Sequence, residues 1–424
     1  MIKQRISAWL KNEFLQNVLV LFSGSAIAQA IPVLSMLILT RMYPEEIFGV
    51  FFIYASAGII LYILSTLKLE VAIVLPETDE EAMQIFNISV LISFLISVVA
   101  FIVVYIMFDF LGTIISNKNI GTWLYLLPVS MFFRGIFQSC VFWYNRKKQY
   151  RQISIGRIVK AVTMASIQIF AGVIGYLKGG LIVGLVAGQF VSAFYMLIII
   201  KIKNRKLTTN FGEIDLKKHL STYLKIPVFN TMMGVLNNLS NQLPVFLLSR
   251  YFGLQFVGFY GLANRIVSTP MGLVGQSVGQ VFYQQAAEAV YKPDTLKYLV
   301  RNTYIKLSKF AIIPFIILFI FSPTIFKIFF GDAWITSGVY TRILIPWLFL
   351  MFLNAPISYI TTVLKKQHII VVYEIFLLVC RFLSLYAGYT IFNSVIMAIV
   401  LFSSVGLVFN LFLLLFHLRI SGKN

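Results

Sequence analysis

Charge is what this 424-residue chain has least of: 12% of its residues are charged, and only 15 are acidic against 35 Lys and Arg. Hydrophobic residues make up 59%, and mean hydropathy is +0.88. A water-soluble core could not hide so much apolar surface, which excludes an ordinary soluble protein and makes lipid part of the solvent. Cysteine is limited to Cys140 and Cys380, both inside apolar runs; they read as free thiols acting as small hydrophobes rather than a disulfide framework. His219, His368 and His417 are far apart, and no Cys/His spacing suggests a metal. Gly-rich phosphate loops, paired carboxylates and a nucleophile beside a base are also missing, so no catalytic residues and no cofactor are expected.

What is present is a succession of apolar runs, each long enough to cross about 30 Å of hydrocarbon as a helix. They are continuous rather than alternating, which favours helices over a membrane barrel. The first run, from about Phe14, is too long for a cleavable signal and reads as a retained span. Polar punctuation gives twelve spans, beginning near Phe14, Phe48, Met83, Thr122, Ile155, Leu181, Pro227, Phe256, Ile305, Val339, Ile369 and Ser394. The connecting loops alternate in charge. Of the 35 Lys and Arg, 26 lie in or beside one set, which includes both termini, "NRKKQYRQ", "KIKNRKLTTNFGEIDLKKH" and "QQAAEAVYKPDTLKYLVRN". The other set holds 4: Arg41, Lys118, Lys178 and Arg250. That bias places both termini in the cytoplasm. The net charge of +20 is therefore a topology signal and not a nucleic-acid footprint. Thr78 and Glu81, in "PETDEEAM", have capping-box spacing at the start of the third helix.

"LTRMYPEEIFGVF" from Leu39 echoes "LSRYFGLQFVGFY" from Leu248 at an offset of 209 residues, which pairs Arg41 with Arg250 and Gly49 with Gly258. Six spans on each side of the midpoint then make two parallel repeats, a recurring transporter plan. The expected organisation is residues 1–200 as an N-terminal six-helix lobe, 201–226 as a cytoplasmic linker and 227–424 as a C-terminal lobe. The paired arginines read as snorkelling helix ends, and the paired glycines as points of close helix approach.

Four ionisable residues sit deep in spans: Arg134, Arg265, Glu374 and Arg381. Charges there are costly and by default face a bundle interior or an aqueous cavity. Three arginines suit an anion, since each offers a planar fork to phosphate oxygens at any relevant pH. The structural alternative ties them to helix ends, carbonyls or Glu374. Glu374 and Arg381, seven residues apart, share a helix face, but about 10.5 Å of rise separates them. Gln29, Asn237, Asn238, Asn241, Gln242, Gln276 and Gln280 are polar neighbours suited to a cavity that meets sugar rings. Lys327 and Arg342 lie nearer helix ends, where snorkelling suffices.

At "FGLQFVGFYGLANRIVSTPMGLVGQSVGQVFYQQAAE" the chain resembles the Wzx-type polysaccharide-unit flippases, relatives of the multidrug and toxin extrusion (MATE) transporters and the lipid II flippases. "LTRMYPEEIFGVF" and "CVFWYNRKKQYRQISIGRI" resemble the family's first-helix ending and its basic turn after the fourth span. The resemblance implies an all-α integral membrane protein, twelve helices in two MATE-like lobes around a central cavity. It implies a flippase carrying undecaprenyl-pyrophosphate-linked oligosaccharide outward across the bacterial inner membrane for O-antigen or a related surface polysaccharide. The site would be Arg134, Arg265 and Arg381 on the substrate, with Glu374 for a coupling ion. Implied partners are membrane lipid, a polysaccharide polymerase and a chain-length regulator. The alternatives are a MATE-type drug or cation antiporter and a membrane-embedded polymerase or glycosyltransferase. The longest outer loop, Asp109 to Gly121, offers an enzyme only one aspartate and one lysine. A lipid II flippase usually has two further helices, which this chain is too short to hold.

Overall fold

Backbone polar groups in hydrocarbon need partners within their own segment, and in the computed structural model every regular element among the described residues is helical. The structure describes residues 13–108, 121–203, 227–291 and 293–422. Twelve long helices follow in order: α1 Glu13–Met42, α2 Glu45–Tyr62, α3 Asp79–Ile106, α4 Leu126–Arg146, α5 Tyr150–Val173 and α6 Leu177–Lys203; then α7 Pro227–Tyr251, α8 Leu254–Ala289, α9 Pro293–Phe330, α10 Ile335–Ile357, α11 Gln367–Thr390 and α12 Val395–Ile420. Short helical turns at Leu69–Val74, Gly121–Tyr125, Asp332–Trp334 and Ile360–Val363 occupy connections. The segment Met1–Lys11, nearly all of the outer loop from Asp109, most of the linker 201–226 and the last two residues lie outside the described residues.

Ten of the described helices are long and apolar enough to cross a membrane; α7 and α8 are the long helices outside that set. Their composition is the reason. Asn237, Asn238, Ser240, Asn241 and Gln242 crowd one turn and a half of α7, and Arg265, Gln276 and Gln280 interrupt α8. "QQAAEAVYKPDTLKYLVRN", expected as a loop, is helical nearly throughout, because α8 runs to Ala289 and α9 starts at Pro293. Ala, Glu, Leu and Lys form helix readily and proline is favoured in a first turn, so polarity there marks the end of the lipid rather than of the helix.

The chain divides into two compact units. The first gathers α1, α2 from Ile53 onward, and α3 to α6. Small residues set its helix spacing. Gly180, Gly184 and Gly188 recur every fourth residue along α6, and a Cβ on Gly188 would stand 2.7 Å from the Lys160 carbonyl oxygen of α5. A Cβ on Gly135 of α4 would collide with Ser93, the middle of the α3 stripe Ser89, Ser93 and Ser97. At one end, Thr78 Oγ1 accepts from the Glu81 N–H at 3.3 Å and caps α3. There Arg146 donates to the carbonyls of Pro76 (2.5 Å) and Thr78 (3.0 Å) and pairs with Asp79 at 3.1 Å, which Lys147 also contacts. Cys140 is buried and Cys380, in the second unit, is partly so; both are free thiols.

The second unit gathers the start of α2, Pro44–Phe52, with α7 from Leu236 onward and α8 to α12. The echo in the sequence acquires a physical meaning here. A Cβ on Gly49 would collide with the Leu254 carbonyl oxygen, and one on Gly258 with that of Glu45. The two paired glycines thus lie where α2 and α8 cross backbone to backbone. Phe48 and Phe259 close the crossing against Trp334, with ring centres 4.9 and 5.9 Å away. Pro323 in α9 has no N–H for the Phe319 carbonyl four residues back. Arg342 supplies the missing donors, Nε to Phe319 O at 3.0 Å and Nη2 to Ile320 O at 2.8 Å. Lys327 pairs with Asp332 at 3.1 Å, exposed at a helix end. Arg41 and Arg250 are exposed in the last turns of α1 and α7, where a cation suits the helix dipole.

Candidate functional site

Arg134 lies in the first unit, one turn beyond Ser130 on the same face of α4. Ser130 belongs to a closed ring of hydrogen bonds: Tyr62 Oη meets Ser130 Oγ at 2.8 Å, Ser130 donates to Gln189 Oε1, and Gln189 Nε2 donates to Tyr62 Oη at 3.0 Å. That ring ties α2, α4 and α6 together and fixes Tyr62. The half-buried Arg134 guanidinium then sits 6.0 Å from the Tyr62 ring centre and 5.8 Å from that of Phe137. Both lie at the outer limit of cation–π attraction. Among the described residues it has neither a hydrogen bond nor an ion pair.

Arg381 is placed quite differently. It is 1% exposed, its Nη1 donates to Ser240 Oγ at 2.9 Å and Asn241 Oδ1 at 3.0 Å, and the ring centres of Trp347 and Phe402 are 4.8 and 4.9 Å away. Its Nε is buried without a hydrogen-bond partner among the described residues. From Asn241 the chain of bonds continues: Asn241 Nδ2 donates to Asn237 Oδ1 at 3.1 Å, and Asn237 Nδ2 donates to Glu374 Oε1 at 2.9 Å. Every donor points from the cation toward the carboxylate, with amide orientations assigned by this network. Two asparagines four apart on α7 thereby bridge the seven residues that separate Glu374 from Arg381 on α11. Glu374 is 8% exposed, and its Oε2 has no partner among the described residues.

Arg265, on α8 of the second unit, stands apart from that relay. It is half-buried, its Cζ is 5.9 Å from the Phe51 ring centre, and its guanidinium has no hydrogen bond or ion pair among the described residues. Thr269 Oγ1 donates to the Arg265 carbonyl at 2.7 Å, a local bond just before Pro270. On the same face, Ser268, Gly272 and Gln276 line a groove of about 210 Å³ between α8 and α10, closed on the other side by Met351, Phe352 and Tyr359. The structure thus joins Arg381 to Glu374, leaves Arg265 alone in the same unit, and sets Arg134 in the first unit with other charges.

Two of those charges escape a reading by composition. Arg157 counts as one of the basic residues after the fourth span, yet α5 starts at Tyr150 and carries it two turns in, where Nη1 donates to Ser25 Oγ. Glu70 looks like a loop carboxylate but is 2% exposed and accepts from Thr66 Oγ1. The signal lay in their neighbours: "ISIGRIVKAV" and "LEVAIV" are apolar on both sides of the charge. Among the described residues no cluster of His, Cys, Asp or Glu fits a metal ion.

Ten described helices long and apolar enough to cross a membrane define a multi-pass membrane protein, and its fold is shared with solved transporters and flippases. The fold matches a MATE-family multidrug resistance transporter of the MOP superfamily (TM-score 0.64, 12% identity, 95% of each chain). It also matches the lipid II flippase MurJ (TM-score 0.72, 15% identity, 95% of this chain and 90% of that one). A third match is a MOP-superfamily transporter from Pyrococcus furiosus (TM-score 0.62, 14% identity, 96% of each chain). The chain belongs to the polysaccharide biosynthesis protein family, which it matches over residues 38–338. A curated relative, the amylovoran biosynthesis protein AmsL of Erwinia amylovora, is 23% identical over 145 residues. That match spans 36% of the relative's length and 34% of this chain.

Proposed function

We propose that this protein is a flippase that moves undecaprenyl-pyrophosphate-linked oligosaccharide repeat units from the cytoplasmic to the outer leaflet of the bacterial inner membrane, for O-antigen or a related surface polysaccharide. The carrying observation is that Arg134 and Arg265, each half-buried within a long helix, have no carboxylate within ion-pair distance among the described residues. An unmatched guanidinium in a low-dielectric setting is costly unless a ligand anion completes it. A diphosphate diester brings two negative charges in a form that planar forks hold well. Family membership supports a role in polysaccharide assembly, and the names of relatives, MurJ and AmsL, fit a lipid-linked sugar as cargo.

In this reading both termini are cytoplasmic, residues 1–200 and 227–424 are the two six-helix lobes, and alternating access opens the arginine site first to one face of the membrane and then to the other. The polyprenyl tail stays in lipid. Arg381 serves the site by holding Asn241 and so the polar turn of α7. Glu374, with one oxygen unpartnered, is the place for a coupling proton or cation. A polysaccharide polymerase and a chain-length regulator act downstream. The antiporter alternative asks for several carboxylates open to a cation; Glu70 already accepts from Thr66, which leaves one oxygen of Glu374 against Arg134, Arg265 and Arg381.

The test is a cell that lacks this protein. Single lipid-linked repeat units accumulate on the inner face if the reading is right, and the full-length protein restores their export. Export of single units that merely fail to polymerise would assign the protein to the polymerase step instead.

A further inference from the structure

The groove between α8 and α10, about 210 Å³ in volume, has no charged residue among those that line it. Neither a cation nor an anion finds a counter-charge in its walls. Cavities for drug-sized molecules hold about 300–1,000 Å³, so this one takes a smaller body, on the scale of a single ring. Its polar groups are the Ser268 hydroxyl and Gln276 amide on α8 and the Tyr359 hydroxyl just past the end of α10. None of the three makes a hydrogen bond among the described residues. A hydrocarbon chain in the groove would leave them without partners, which is costly, whereas a neutral polyol would satisfy them. The Phe352 and Tyr359 rings offer apolar surface to the C–H faces of such a ring. Tyr359 is held where it stands: its ring centre is 5.6 Å from that of Tyr283, and a Cβ added to Gly279 would come within 2.8 Å of its edge. Small residues keep the space open. A Cβ on Gly275 would only touch that of Ala355 at 3.6 Å, and one on Gly272 would have no atom within 4 Å. Packing therefore does not call for glycine at 272, unlike Gly258, yet glycine costs a helix stability; close approach of the backbone to an occupant would account for it.

We infer that this groove is a saccharide subsite that holds one neutral sugar ring, with Ser268, Gln276 and Tyr359 as its hydrogen-bonding groups and Gly272 as its open wall. The inference rests on the flippase reading for what carries the ring, a lipid-linked saccharide. Helix register supports the link. Residues 265, 268, 272 and 276 fall on one face of α8, and Ser268 lies about 4.5 Å of rise beyond Arg265. In a lipid-linked saccharide the sugar is joined directly to the diphosphate, so an anion held by Arg265 would bring its ring to the near end of the groove. The groove has room for that ring alone, and the rest of the saccharide stays outside it.

The experiment measures binding to the full-length protein in nanodiscs of neutral phosphatidylcholine. The probes are undecaprenyl pyrophosphate, the same lipid bearing one N-acetylglucosamine or one galactose, and tetraphenylphosphonium as an apolar cation. The readout is the ratio of sugar-bearing to bare-lipid affinity, which a general loss of folded protein does not move. In the wild type at least one sugar should raise affinity about tenfold. Gly272→Leu, which fills the groove, should bring that ratio to about one, and Gln276→Leu and Tyr359→Phe should each lower it severalfold. Equal affinity for the bare and both glycosylated lipids overturns the assignment, as does a wild-type ratio in Gly272→Leu. Tetraphenylphosphonium binding that Gly272→Leu abolishes, with no preference for either sugar, overturns it in favour of a cation. If Gly272→Leu loses its fold, the two polar variants decide, and a full ratio in both overturns the proposal. The two readings fail separately. A sugar preference that depends on Gly272 in a protein that exports no lipid-linked saccharide would remove the flippase and keep the subsite. Export by a protein whose sugar preference survives Gly272→Leu would do the reverse.

Discussion

In the second unit Arg381 is sealed at 1% exposure among Ser240, Asn241 and two aromatic rings, and a relay of amides leads from it to Glu374. In the first unit Arg134 has two rings at the limit of attraction and no hydrogen bond or ion pair among the described residues. The same side chain faces the same cost of leaving water in both places. Around Arg381 that cost is settled internally, through donors and acceptors that the unit's own helices supply. Around Arg134 it is left open. A protein that needed arginine only as internal glue has, in α7 and α11, a working solution that it did not repeat around Arg134.

The comparison breaks if the two arginines respond alike to removal. Arg381→Leu strands the Asn241 and Ser240 acceptors and leaves Glu374 without its cation, which should cost about 3–5 kcal/mol in detergent unfolding. Arg134→Leu should be neutral or slightly stabilising in the same measurement while abolishing export, because it removes a charge the fold never matched. Asn241→Ala sharpens the contrast by cutting the relay at its middle. It should cost about 1–3 kcal/mol and lower the stability difference between wild type and Glu374→Gln, a coupling that a double-mutant cycle reads.

Smaller effects separate backbone packing from charge. Gly258→Ala forces a methyl onto the Glu45 carbonyl, where only backbone can give way, and should cost about 1–3 kcal/mol. Gly272→Ala, with nothing within 4 Å of its added Cβ, should be neutral or gain up to about 1 kcal/mol from helix propensity. Equal costs at the two positions would remove the crossing of α2 and α8 as the reason for the repeated glycine. Last, Lys327→Ala breaks an exposed pair and should change stability by no more than about 0.5 kcal/mol.

The all-helical membrane class was legible because lipid imposes length and composition on a span, a property of a single segment; of the twelve expected spans ten meet that test among the described residues, and α7 and α8, interrupted by polar side chains, do not. The echo between Gly49 and Gly258 was legible as a pairing of positions, but its physical content, two backbones in contact, needed coordinates. Glu374 and Arg381 could be placed on one face of α11 by counting residues. Their link could not, since it runs through Asn237 and Asn241 on a helix more than a hundred residues earlier, and a spacing of seven on one helix met by four on another has no signature in either alone. Arg157 and Glu70 went unread for a related reason: charge counts assign a residue to the loop it stands beside, while the turns here are short. Lys148 at φ 54° closes the connection between α4 and α5 in three residues, so the helix resumes early and carries Arg157 inward. Arg342 reads in the sequence as a snorkelling end; its bond to the carbonyl freed by Pro323 depends on two helices meeting at that proline.

The most direct measurement is the fraction of lipid-linked repeat units that reaches the outer leaflet in cells carrying Arg134→Gln and Arg265→Gln together, with the protein at its normal level. If the unmatched guanidiniums exist to receive a diphosphate, the units remain on the inner face although the protein is folded and abundant. Surface polysaccharide at the wild-type amount in those cells would contradict the account.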